Sequence, residues 1–212
     1  IRYRLIFKNK EGFSIGFNLI LVPASVSTLG KASASGINMT VTKNSEDKLF
    51  KRCAANNAAY DYLKRCSASD LDITPPPAKL RLWLFHNLNV SSAVMMHHNT
   101  GLNKGLIRAF LGEYATLIKI FLPDLTIGVK DADDYRDIYS TTCHELAHAS
   151  HFAEVETDYW EEYIHYIIES FITSGGMTYG DGTGSKAGYC EVGEMWAYYL
   201  ESLIYKERYG GN

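Results

Sequence analysis

The chain has 212 residues, 46% of them apolar and 21% charged, with a formal net charge of −3. This fits an ordinary folded domain able to bury a core without staples, and it excludes disordered, collagen-like and coiled-coil classes. Lys and Arg number 21 against 24 Asp and Glu, so no basic excess exists to neutralise a phosphate backbone, and nucleic acid is not an expected partner. No run approaches the ~18 apolar residues that a membrane span needs.

In chain order, residues 1–22 predict two extended runs around a turn at 8–12, a hairpin pattern. Residues 23–36 are rich in Ser, Ala and Gly and suit a connector. The spacing of Leu49, Phe50, Cys53, Ala54, Tyr60 and Leu63 predicts a helix over 46–66 with one buried face. Residues 67–77 end in three prolines, a rigid break. A β-rich stretch follows, with a strand at 80–85, ambiguous runs at 93–98 and 106–111, and strands at 114–122 and 125–129 joined by a tight turn at Pro123-Asp124. The acidic run 131–134 suits a helix start, where it complements the helix dipole. Helices are predicted over 134–153, 157–173 and 190–208, with a glycine-rich loop at 174–188. Strands come first and helices last, so the expected class is α+β. The chain begins at Ile1, as a trimmed or mature fragment does. Residues 1–45 then read as a β segment left from a preceding β domain, and 46–212 as the main domain.

The chemistry concentrates in His144-Glu145-Leu146-Ala147-His148, an HExxH pattern on a predicted helix. Histidines four apart project from one helical face and can meet one zinc ion at ~2.0–2.1 Å. Glu145 sits about 100° round the helix, beside the metal without ligating it. It is placed to act as general base towards a zinc-bound water. Thr141, Thr142, Cys143, Leu146, Ala147 and Ala149 are uncharged and permit burial of the rest of the helix. A catalytic zinc needs a third protein ligand and an open position. Glu194, Glu191 and Glu154 are the candidates. Glu194 shares a helical face with Tyr198, Glu191 stands one turn earlier, and Glu154 stands six residues after His148.

His144 to His148, followed by Glu194 in a Gly-Glu-Met-Trp-Ala-Tyr-Tyr setting, resembles a gluzincin metallopeptidase over about 135–201, roughly a third of the chain. The resemblance implies a zincin-like fold, with a twisted, mostly antiparallel-edged sheet from about 80–130 packed on the HExxH helix. It implies one zinc ion held by His144, His148 and Glu194, with Glu145 as base. It also implies a hydroxyl or imidazole donor for the developing oxyanion, with Tyr198, Tyr199, Tyr179 and His165 as candidates and Tyr198 as the choice. The chain departs from the family in its long interval between His148 and Glu194, in Tyr198 where thermolysin-like enzymes carry Asp, and in Ser150 where a hydrophobic residue is usual. No GAMEN-like signature is present, so the expected activity is endopeptidase cleavage of a peptide or protein substrate. Work outside the cytoplasm, as a secreted, periplasmic or cell-surface protein, goes with that class. The rival reading is a catalytically inactive zinc-binding surface or interaction protein on the same fold. Oligomeric state is left open.

Other features carry plainer readings. His97 and His98 would point to opposite faces of a strand and, with His86, read as structural or surface residues. His151, seven residues after His144, lies near the metal-facing side of its helix. The glycine-rich loop reads equally as a mobile loop beside a cleft or as a connector. Cys53, Cys66, Cys143 and Cys190 form no CxxC pair. A Cys143–Cys190 disulfide is conceivable, and buried thiols are the simpler reading.

Overall fold

The computed structural model describes residues 1–19, 22–24, 26–99, 123–132, 134–174, 179 and 181–210. The ambiguous run at 106–111 and the strand expected at 114–122 lie outside these residues, whereas Pro123 and Asp124, expected as a tight turn, lead directly into the strand at 125–128.

The first elements are β1 (Arg2–Ile6), β2 (Ser14–Leu19), β3 (Val22–Ala24) and β4 (Val26–Lys31). β1 pairs antiparallel with β4 in a two-stranded ribbon, and the hairpin expected with the next run is confined to a short antiparallel bridge, Lys8 with Ser14, around the turn at 9–12. Residues expected as a connector at 23–36 therefore supply β3 and β4. The reason is physical: the ribbon is largely solvated, with Leu5, Ile6 and Val26 exposed, so its strands carry no clean apolar alternation.

Helix α1 (Lys43–Cys66) begins at Thr42, whose hydroxyl accepts from Ser45 N in a capping box. It is followed by β5 (Arg81–Phe85), β6 (Ser92–Ala93) and β7 (Leu125–Gly128). These strands join β2 and β3 in a five-stranded sheet of order β3-β2-β5-β7-β6. The centre is parallel and both edges are antiparallel. β2, from the segment 1–45, pairs with β5, from the segment 46–212, in the same sheet. β5 is the central strand, and Leu82, Trp83, Leu84 and Phe85 are all buried, which explains an apolar run on both faces. Pro23, which has no N–H to donate, stands on an edge strand.

Three helices complete the α+β chain: α2 (Tyr135–Glu154), α3 (Thr157–Thr173) and α4 (Ala187–Tyr209). α2 is the central helix, packed on α1, α4 and β7. Tyr62 of α1 donates to Ser150 of α2 at 2.8 Å, and Tyr139 of α2 donates to Asp61 of α1 at 2.8 Å. The buried indole of Trp160 in α3 donates to the carbonyl of Val94, beyond β6, at 3.3 Å. No described helix is long and apolar enough to cross a membrane.

Asp124 pins the end of the sheet. It is fully buried and accepts from Arg81 N at 2.9 Å, His97 N at 2.8 Å and His98 Nδ1 at 3.1 Å. His98 Nε2 lies 2.9 Å from the carbonyl of Ala78, so both ring nitrogens face acceptors and the imidazolium is favoured. The Asp124 hydrogen bond raises the His98 pKa against the opposing effect of burial. A raised folded-state pKa contributes stability in full below the unfolded value of ~6.5, and that contribution is lost as pH rises through the folded value. His98→Gln should therefore cost about 1–2 kcal/mol in urea melts below pH ~6. The gap to wild type should narrow above neutrality, and a gap independent of pH would refute the pairing.

Candidate metal centre

α2 is started by Asp134, whose carboxylate accepts from Arg136 N at 3.0 Å, while Asp137 accepts from Asp134 N at 3.3 Å. This fixes the rotation of the helix. His148 is fully buried, Glu145 is 2% exposed, and His144 lies at the edge of the cleft with its side chain 12% exposed. His144 and His148 bring their Nε2 atoms to 3.2 Å. Glu194 of α4 enters between them, with Oε2 3.2 Å from His144 Nε2 and Oε1 3.1 Å from His148 Nε2. These three residues form a group that could hold a metal ion.

The donor geometry fits such an ion. Donors ~2.05 Å from a tetrahedral centre stand ~3.3 Å apart, close to the 3.2 Å between the two Nε2 atoms and to the distance from each to its nearer Glu194 oxygen. Glu194 Oε1 has no hydrogen-bond partner despite its 3.1 Å approach to His148 Nε2, so the two groups face a common point more than each other. Glu145, Glu194 and Glu201 also crowd around two imidazoles, a concentration of carboxylates that a cation relieves.

Glu201, which the sequence reading missed, orients the first histidine. Its Oε2 accepts from His144 Nδ1 at 2.9 Å, and its Oε1 accepts from Ser140 Oγ. With Nδ1 bonded to Glu201, Nε2 is the ring nitrogen turned to the cleft; burial would lower the His144 pKa, but the hydrogen bonds to Glu194 and Glu201 outweigh it and raise it to about 10. The signal was present in the spacing, because Glu201 follows Glu194 by two helical turns and shares its face.

Electrostatics follow the burial. Burial pushes the Glu145 carboxyl up to about 8, helped by Glu194 and Glu201 and opposed by His144. One of its oxygens, Oε2, is buried without a hydrogen-bond partner. Burial holds the His148 imidazole below its ordinary range. Burial would raise Glu194, but the imidazoles of His144 and His148 beside its two oxygens win and hold it low.

Gly193 allows this arrangement. A Cβ there would stand 3.3 Å from His151 Nδ1, a tight contact, and 3.6 Å from His148 Nδ1, an ordinary one, so a methyl would ask the His151 ring to give by a few tenths of an ångström and a larger side chain would ask for more. His151 is buried in this contact, with burial pulling its pKa down to about 4.

Tyr198 lays its ring on His144, with centroids 4.7 Å apart at 70°, and is 60% exposed. Tyr199 points about 100° further round α4 and is half exposed. The Tyr179 hydroxyl is raised by burial and then by the charges of Tyr163, Glu145 and Glu194, which brings it near the centre. The other acids stand apart. Glu191 lies by Gly182, and Glu154 accepts from Thr74. All four cysteines are free, with Cys143 and Cys190 buried, and burial raises the Cys190 thiol to about 12.

Comparison of the chain with protein-family models, with curated protein sequences and with solved structures gave no match.

Two substitutions test the centre. Glu201→Ala should leave His144 free to turn and weaken divalent-cation binding by about 10–100-fold, read by competition with a chromogenic chelator. Gly193→Val should part α4 from α2, costing about 1–3 kcal/mol of stability together with a loss of cation binding. Unchanged binding in both would show that these residues do not hold the site.

Proposed function

We propose that the chain is a zinc-dependent peptide hydrolase of gluzincin type, acting as an endopeptidase. The observation that carries this reading is the convergence of His144, His148 and Glu194 beside a buried Glu145 with an unpartnered carboxylate oxygen. A closed structural zinc site would use four ligands and favour cysteine, whereas this donor set has three and no thiol. The packing of α2 along β7 of a mixed sheet supports a zincin-like architecture.

His144, His148 and Glu194 would hold the zinc. When bound, zinc supplies Lewis acidity, polarising a carbonyl and lowering the pKa of water towards ~7. Glu145 accepts the proton of the attacking water and returns it to the leaving amine nitrogen as the C–N bond breaks. Its burial keeps its proton affinity in the range where a proton can be both taken and given back. The Tyr198 hydroxyl donates to the oxyanion that develops on the carbonyl oxygen, while its ring steadies His144. Glu201 holds His144 in the tautomer that leaves Nε2 free. No covalent intermediate with the chain is required.

Elemental analysis and cleavage of a peptide library, followed by mass spectrometry, test this together. Wild type should carry one zinc per chain and cut internal peptide bonds. Glu194→Ala should lose the zinc. Glu145→Gln should keep it and lose cleavage by about 10²–10⁴-fold. Cleavage that persists in Glu145→Gln would overturn the mechanism. Zinc binding without cleavage in wild type would favour an inactive zinc-binding interaction protein.

A further inference from the structure

The flank of α4 opposite the metal centre is open. Val192, Met195, Trp196 and Tyr199 recur at i, i+3, i+4 and i+7 and form an apolar stripe two turns long. Val192 and Tyr199 stand ~140–160° round the helix from Glu194, so they turn away from the ligand face. Three of the four are well exposed, with Val192 at 49%, Met195 at 69% and Tyr199 at 51%, so no neighbour among the described residues covers the stripe. The stripe forms one wall of a groove of about 570 Å³, whose other sides come from the end of α2 and the segment at Asp72 and Thr74.

Asp72 and Glu154 are the carboxylates that line the groove, together with Thr74, Ser150 and His151, and no Lys or Arg does so among the described residues. Glu154 accepts from Thr74, which fixes its position. Trp196 and Tyr199 add two aromatic faces with centroids 6.2 Å apart at 32°. Carboxylates with aromatic faces and no competing cation suit a ligand that is apolar along its body and cationic at one end. The open side of the groove and the two-turn stripe suit a chain segment that lies along α4 more than an enclosed small molecule.

We propose that this groove binds a peptide segment that sets an apolar side chain on the Trp196–Tyr199 wall and a Lys or Arg against Asp72 and Glu154. The groove lies on the flank of α4 turned away from Glu194, borders the metal centre at His151, and does not rest on the peptidase reading. For a contact of ~20 non-hydrogen atoms the Kd should be on the order of 0.1 mM.

The probe is the capped dipeptide acetyl-Phe-Arg-amide, titrated by calorimetry into the Glu145→Gln chain so that it is not consumed. Trp83 and Trp160 are buried while Trp196 is only partly so, and indole fluorescence therefore reports chiefly on the groove. Saturable binding is expected, with a fluorescence change that Trp196→Phe abolishes. The glutamate counterpart, acetyl-Phe-Glu-amide, should bind at least ~10-fold more weakly. Asp72→Asn combined with Glu154→Gln should cost a similar factor for the arginine probe, with the circular dichroism spectrum unchanged because both residues are exposed. Met195→Ala, at a well-exposed position, should weaken both probes alike. Equal binding of the two probes, no effect of the double carboxylate variant, or no saturable binding up to ~5 mM would each overturn the proposal. None of these outcomes bears on zinc content or cleavage, so a failure here is distinct from a failure of the peptidase reading.

Discussion

The contact between α2 and α4 at Gly193 is the constraint on which the candidate centre depends. A Cβ at that position would press on the ring of His151 and touch that of His148, and at this close approach Glu194 stands within 3.2 Å of both His144 and His148. The same approach places Glu201 on His144 Nδ1 two turns later along α4. Glycine in a helix interior costs about 1 kcal/mol relative to alanine. Here that cost is offset by a contact between helices that no larger residue permits without displacing a ring.

Burial then decides the chemical character of each group. His148, fully enclosed, is held neutral and so keeps a lone pair for a cation. Glu145, equally enclosed and among other carboxylates, is pushed the other way from an exposed acid and keeps a high proton affinity. Glu194 has the two histidines as neighbours and stays ionised. Three glutamates in one small volume thus acquire different roles from their surroundings, with nothing in their covalent chemistry to distinguish them. Groups of this kind, enclosed and incompletely hydrogen-bonded, are costly to stability, and the packed contacts of α2 with α1 and β7 offset that cost.

Around this centre the sheet acts as a rigid back. Its central strand, β5, is buried on both faces, and Asp124 ties its start to the segment following β6 through backbone and imidazole donors. The β1–β4 ribbon contributes less to the core and is linked to it through Arg52 of α1, whose guanidinium lies over the rings of Phe7 and Phe17 and donates to Ser27. α4 divides its surface between two tasks, with ligand-facing carboxylates along one side and an apolar stripe along the other.

The sequence by itself determined the elements whose signals are local. The four helices follow from apolar spacing and caps, with ends within a few residues of those expected. The pairing of His144 with His148 follows from a spacing of four on one helical face. The residues alone left the third partner open between Glu194, Glu191 and Glu154, with Glu194 favoured and the resemblance pointing to it, because neither the docking of α4 on α2 nor the reach of Glu154 from the end of α2 is encoded locally. Only the tertiary structure chose, by bringing Glu194 to the histidines and leaving Glu191 beside Gly182 and Glu154 on Thr74. Strand partnership was likewise non-local: β1 pairs with β4 and β2 with β5 across long intervals, and the solvated ribbon had no apolar alternation to announce it. Glu201 was legible as a face-mate of Glu194, yet its contact with His144 depends on how closely α4 lies on α2. Gly193 contributes to that closeness by leaving room for the His151 ring, an effect that exists only once the two helices meet.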